Sequence, residues 1–167
     1  MIVVSDTTPL ISLLKIQRLE LLNELFDEVW IPQTVYEELV TNRKFASEAV
    51  EIIETDYIKK VEITDLKSVE LLRRATGLDA GESEAIILSD EIRADILLMD
   101  EVKGRMVAKQ MGLTIMGTIG ILMTAYDEKL LSDEEILHCI EILQRNGRYI
   151  SEKLYQQLRD KISNTKN

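Results

Sequence analysis

Short apolar runs alternate along the chain with longer segments that have the periodicity of helices. Residues 2–5 and 96–99 are such runs, and shorter ones are predicted near 29–31, 58–63 and 115. Apolar strands that are separated by helices favour a parallel sheet covered on both faces. With 167 residues, of which 46% are hydrophobic, the chain can bury the core of one domain. We therefore expect a single α/β domain over residues 1–167, with a helical C-terminal extension over about 132–163.

An acidic residue without a local role follows the first predicted strand. In "IVVSDTTPL", Pro9 suits the first position of a helix, because its missing N–H is not needed there, and Thr8 is then the predicted N-cap. Asp6 is left unexplained. A second acid, Asp100, directly follows the other buried run, although it could simply cap a helix beginning at Glu101.

These two acids lie where a parallel sheet binds its ligands, in the crevice outside the carboxyl ends of the strands. Carboxylates held close together repel one another unless a cation lies between them. The chain has one histidine, His138, and one cysteine, Cys139, so the ligands would be oxygens, which suit Mg²⁺ or Mn²⁺ rather than Zn²⁺. Such a cation could activate water and neutralise charge on a phosphate, which is the chemistry of phosphodiester hydrolysis.

Further acids are needed if more than one ion binds at this edge. The candidates are Glu37 or Glu38, Glu82 or Glu84, and Glu101. Periodicity does not separate Glu37 from Glu38, because they lie on opposite flanks of one apolar stripe. Glu82 also has the spacing of a capping box with the aspartate three residues before it.

Capping residues predict three other helix starts, and the total charge limits the partners. The predicted starts are Thr64, the Asp79–Glu82 box and the Ser132–Glu135 box. A formal charge of -10 argues against non-specific binding of nucleic acid over a broad surface. The N-terminus lacks the features of a secretory signal, and no apolar run approaches the roughly 18 residues of a membrane span. We therefore expect a cytoplasmic protein with no membrane partner.

Four stretches together resemble the successive blocks of PIN-domain proteins, in the VapC-like group of toxins from bacterial and archaeal toxin–antitoxin pairs. They are "VVSDTTPLISL", "IPQTVYEELV", "LDAGESEAIILS" and "LLMDEVKGRMVAKQMGL". The likeness covers about residues 2 to 126. In addition, "NGRYISEKLYQQL" is similar to the C-terminal helical end of one PIN subgroup.

The resemblance implies a three-layer, PIN-like α/β fold whose central parallel sheet has the strand order 3-2-1-4-5. The strands that lead to Asp6 and Asp100 would then be neighbours. It also implies Mg²⁺- or Mn²⁺-dependent endoribonuclease activity, with RNA as substrate and a cognate antitoxin and a second copy of the chain as partners. By position, the metal-binding and catalytic acids would be Asp6, Glu38, Glu82 and Asp100, with Thr7 or Thr8 near the metal; Glu84 stays an alternative to Glu82.

Two other interpretations keep the same fold. In the first, the protein is a PIN-like binding module with weak or no catalysis, and Leu14, Ile16 and Leu21 are candidates for its interface. In the second, it is a phosphatase with an aspartyl nucleophile. That mechanism requires a second acid two residues after the first, whereas position 8 is threonine.

Overall fold

The computed structural model describes residues 1–166, which form two compact units. The first unit, Met1–Thr118, contains the sheet, and the second, Ile119–Asn167, contains helices. The single domain predicted over residues 1–167 stays a prediction. No helix within the described residues is long and apolar enough to cross a membrane.

The sheet of the first unit is entirely parallel and has the order β3-β2-β1-β4-β5. Its strands, among residues 1–166, are β1 Val3–Ser5, β2 Val29–Pro32, β3 Ile58–Val61, β4 Ile96–Leu98 and β5 Ile115–Met116. Parallel neighbours need long connections, and helices supply them here. The predicted α/β fold and strand order are confirmed.

Helices connect successive strands and continue into the second unit. In chain order they are α1 Thr7–Lys15, α2 Leu21–Phe26, α3 Gln33–Thr41, α4 Ala46–Glu54, α5 Leu66–Thr76, α6 Ala80–Glu91, α7 Val102–Gln110, α8 Thr118–Asp127, α9 Asp133–Arg145 and α10 Glu152–Thr165. A short 3₁₀ turn, Arg43–Phe45, precedes α4.

Strand β1 is the centre of the sheet. It pairs with β4 in a register that joins Ser5 to Leu98, and with β2 through Val4 and Trp30. All three residues of β1 are buried, as expected for a strand covered on both faces. Asp6, the residue that follows β1, therefore lies in the protein interior.

The apolar core of the first unit joins strands to the helices that cover them. One cluster contains Val4 and Leu97 from the sheet together with Ile86 from α6. The three leucine and isoleucine residues considered as interface candidates belong to the interior instead. Leu14, Ile16 and Leu21 are only 5%, 5% and 2% exposed, so the interface interpretation of these residues is wrong.

Two helices have N-cap residues that lie one or two positions away from the predicted ones. Helix α1 begins at Thr7, so Asp6 and not Thr8 occupies the N-cap position. Helix α5 is capped by Asp65, whose carboxylate accepts the backbone N–H of Ser68, rather than by Thr64. In both cases the N-cap is an aspartate, whereas the prediction was a threonine.

Both predicted capping boxes are confirmed. Asp79 and Glu82 exchange side-chain and backbone hydrogen bonds at the start of α6. Ser132 and Glu135 do the same at the start of α9, in the second unit. These bonds satisfy N–H groups that no helical carbonyl can reach, and so they fix where each helix begins.

Replacing a core side chain in α6 tests whether the first unit depends on this packing. We expect Ile86→Ala, at a fully buried position, to reduce the free energy of unfolding by about 2–5 kcal/mol. The control is Ile53→Ala on α4, where the side chain is 58% exposed and the change should stay within about 0.5 kcal/mol. Urea denaturation measures both, and equal losses would contradict the assigned core.

Candidate functional site

Asp6 enters the protein interior at the carboxyl end of the central strand. Its backbone N–H donates to the carbonyl oxygen of Leu98 at 3.0 Å, which continues the pairing of β1 with β4. The residue is only 4% exposed. Although its backbone is at the N-cap of α1, its carboxylate makes no capping hydrogen bond. The sequence-based view that this carboxylate does not cap the helix is confirmed.

Burial makes the charged form of Asp6 unfavourable. The pKa of its carboxyl group is raised from 3.8 to about 7, mainly by loss of hydration and also by the negative charges of Asp79, Glu82 and Glu38. A hydrogen bond from the backbone of Thr7 partly offsets these effects. Asp6 is therefore a buried acid surrounded by other acids, which is an arrangement often found at functional sites.

Glu38 is the acid that α3 directs toward Asp6. Its Oε2 accepts a hydrogen bond of 2.9 Å from the hydroxyl of Thr7, the residue next to Asp6. The same Oε2 and Asp6 Oδ1 lie 3.5 and 3.7 Å from the point that a Cβ on Gly81 would occupy. Glu37 instead accepts a 2.6 Å hydrogen bond from Gln33 on its own helix. Of the two glutamates, the structure thus brings Glu38 beside Asp6.

Glu82 lies close enough to Asp6 to raise its pKa, but its carboxylate closes the capping box. Glu82 Oε2 accepts the backbone N–H of Asp79 at 2.9 Å. Burial raises the pKa of Glu82, as do the charges of Asp79 and Glu101. Glu84 points elsewhere, because its Oε2 accepts the backbone N–H of Thr34 at 3.2 Å.

Asp100 follows the strand next to β1, yet its carboxylate is bound by a different group. Both of its oxygens accept hydrogen bonds from Thr118, one from the backbone N–H at 2.7 Å and one from the hydroxyl at 2.5 Å. Asp100 Oδ1 and Arg105 Nη1 lie 2.9 and 2.8 Å from the point where a Cβ on Gly117 would stand. A guanidinium therefore lies beside this carboxylate.

Asp100 does not cap α7. Glu101 is the N-cap of that helix, and its carboxylate accepts the backbone N–H of Gly104 at 2.7 Å. The capping interpretation of Asp100 is therefore wrong, and Glu101, considered as a spare ligand, has the capping role instead. The reason is that α7 begins at Val102, one residue later than predicted.

The oxygen donors at this edge fit a hydrated divalent cation better than a closed metal cage. Within residues 1–166, no group of three or more histidine, cysteine, aspartate or glutamate side chains is placed to hold one ion. A carboxylate oxygen of Asp6 and one of Glu38 nevertheless both lie within 4 Å of the point that a Cβ on Gly81 would occupy. Mg²⁺ typically keeps several waters and uses one or two carboxylates together with substrate phosphates. Two converging carboxylates, one of them buried, meet that requirement.

Sequence reasoning missed three residues that shape this edge of the sheet. Gly81 has a visible signal, since a glycine in the first turn of a helix carries a helix-propensity cost. Thr118 and Arg105 have none, because their contacts with Asp100 and with the Met99 carbonyl depend on how the chain returns to the end of β4.

The first unit is an α/β domain with an open parallel sheet and with acidic residues at the carboxyl ends of its central strands. The chain belongs to the PIN-domain family, since residues 2–164 match the family DUF3368, which is described as a PIN domain. PIN domains are generally nucleases, and they generally use divalent metals. No curated protein gives a significant match to the chain.

Buried Asp6 should make the stability of the metal-free protein depend on pH. The folded state holds a proton up to about pH 7, whereas an unfolded aspartate loses it near 3.8, so stability should fall as the pH rises between these values. Asp6→Asn removes this dependence. We expect its stability advantage over the wild type to grow by about 2–3 kcal/mol from a pH of about 5 to about 8.

Urea denaturation in EDTA at both pH values measures this difference. Glu37→Gln, on the exposed side of α3, is the control and should follow the wild type at each pH. An Asp6→Asn advantage of equal size at both pH values would show that the Asp6 carboxyl titrates normally.

Proposed function

We propose that this protein is an Mg²⁺- or Mn²⁺-dependent endoribonuclease that hydrolyses phosphodiester bonds of RNA. We assign Asp6 and Glu38 as the ligands of the cation. Glu82 and Asp100 are the two further acids of the proposed catalytic site. Membership of the PIN-domain family supports the nuclease class. The resemblance of four sequence blocks to VapC-like proteins supports RNA as the substrate.

One observation carries the proposal: the carboxylate of Asp6 is buried, lies among like charges and makes no capping bond. In its charged form, such a group reduces the stability of the protein unless a cation compensates for it. Glu38 is exposed while Asp6 is buried, so the space between their carboxylates connects the interior with the surface. A substrate phosphate and its water can approach from that side.

Each residue of the set has a role that its contacts support. Asp6 and Glu38 supply the ligand oxygens, and the Thr7 hydroxyl fixes the rotamer of Glu38. A bound divalent ion would lower the pKa of a water and neutralise charge on the phosphate. Burial raises the pKa of Glu82, which favours its protonated form, and Thr118 holds Asp100 in one orientation at the neighbouring strand end.

In the cell, we propose that the protein is the toxin of a toxin–antitoxin pair. Its partners would be a cognate antitoxin, which blocks the nuclease, and a second copy of the chain in a homodimer. The site of action would be the cytoplasm, where the RNA substrate is found. The VapC-like resemblance supports this assignment.

The direct test is cleavage of single-stranded RNA by the purified full chain with Mn²⁺ or Mg²⁺. We expect Asp6→Asn and Glu38→Gln to reduce kcat/KM by at least about 100-fold, because even residues that only orient metal ligands contribute about 10–100-fold. Glu37→Gln is the matched control, since it changes the same side chain one position away and should retain activity.

The alternative is a PIN-like protein-binding module with weak or no catalysis. It would be supported if the folded wild type bound an antitoxin but cleaved no RNA with either metal. If Asp6→Asn or Glu38→Gln kept full activity, the assigned site would be wrong.

A further inference from the structure

Gly81 occupies a position where the backbone has no need of glycine. It lies in the first turn of α6, just after the Asp79 cap, and it is buried. Its φ angle is outside the left-handed region. Alanine would be favoured at such a position, since glycine in a helix is about 1 kcal/mol less favourable than alanine. The helix therefore does not explain this residue.

Packing does not explain it either. A Cβ on Gly81 would lie 3.5 Å from Val35 Cγ2, 3.5 Å from Glu38 Oε2 and 3.7 Å from Asp6 Oδ1, which are ordinary van der Waals distances. An alanine methyl group would fit without displacing a neighbour. It would, however, cover both carboxylates with hydrocarbon.

Other glycines of the first unit have a local reason for their identity. Gly77 and Gly112 have φ angles of +74° and +84°, which L-residues with side chains rarely adopt. A Cβ on Gly104 would lie 2.5 Å from Met99 Sδ, which is too close. Gly81 differs from these because its φ angle is ordinary and a Cβ there would only touch its neighbours, two of which are carboxylate oxygens.

We propose that Gly81 is a positioning residue of the metal site: its missing side chain keeps open the space between Asp6 and Glu38 for a hydrated divalent cation. The inference rests on the proposed function. Mg²⁺ and its oxygen ligands are separated by only about 2.0–2.1 Å, and the ion gives up its waters reluctantly. A methyl group on the floor of this space would occupy the volume that an ion and its water require.

The test is the variant Gly81→Ala. Its stability and its Mn²⁺ affinity are measured first, because neither depends on catalytic activity. In EDTA, the variant should be as stable as the wild type or more stable by about 0.5–1 kcal/mol, because alanine favours the helix. With Mn²⁺ added, its affinity should fall by about 10-fold or more, as read from the electron paramagnetic resonance signal of free Mn²⁺. A gain in metal-free stability combined with a loss of metal affinity is not expected from a purely structural role.

Two controls separate helix propensity from the site. Ala75→Gly makes the opposite exchange at an exposed position of α5 and should leave Mn²⁺ affinity at the wild-type value. In an Asp6→Asn background, Gly81→Ala should cause little further loss of affinity, because the site has already lost one of its two carboxylates.

The outcomes distinguish this inference from the proposed function. If the wild type binds no Mn²⁺, the proposed function fails. If the wild type binds Mn²⁺ and Gly81→Ala binds it equally well, the role of Gly81 is wrong while the function stands. If Gly81→Ala is destabilised in EDTA, a methyl group does not fit beside Val35, and a packing role replaces the one proposed here.

Discussion

The parallel pairing of β1 with β4 is the constraint from which the site follows. Because β1 is the central strand and is covered on both faces, the chain is still inside the protein when it reaches Asp6. The hydrogen bond from Asp6 N–H to the Leu98 carbonyl then fixes where the residue leaves the sheet. A carboxylate placed this way is dehydrated by the fold itself, and its raised pKa is the consequence.

The acids at this edge are stabilised in different ways. Asp100 accepts two hydrogen bonds from Thr118 and lies near the guanidinium of Arg105, and Glu82 is held by the Asp79 capping box. Asp6 and Glu38 have no cationic partner among the contacts described above. This difference is why we assign the proposed divalent ion to this pair.

The sequence predicts the fold better than it predicts the site. Apolar runs such as residues 96–99 and the capping box at Asp79 depend on local patterns, and both are reproduced in the structure. The strand order came from the family resemblance and is confirmed. The position of Glu38 relative to Asp6 depends on the packing of α3, which periodicity cannot determine. Likewise, Asp100 and Thr118 are eighteen residues apart, and no local pattern connects them.

The most direct test of the central claim is the anomalous diffraction of a crystal soaked with Mn²⁺. The account predicts an anomalous peak at ligand distance from the carboxylates of Asp6 and Glu38, next to the Cα of Gly81. A peak bound only by other acids, or no peak at millimolar Mn²⁺ in a crystal whose site is open to solvent, would contradict it.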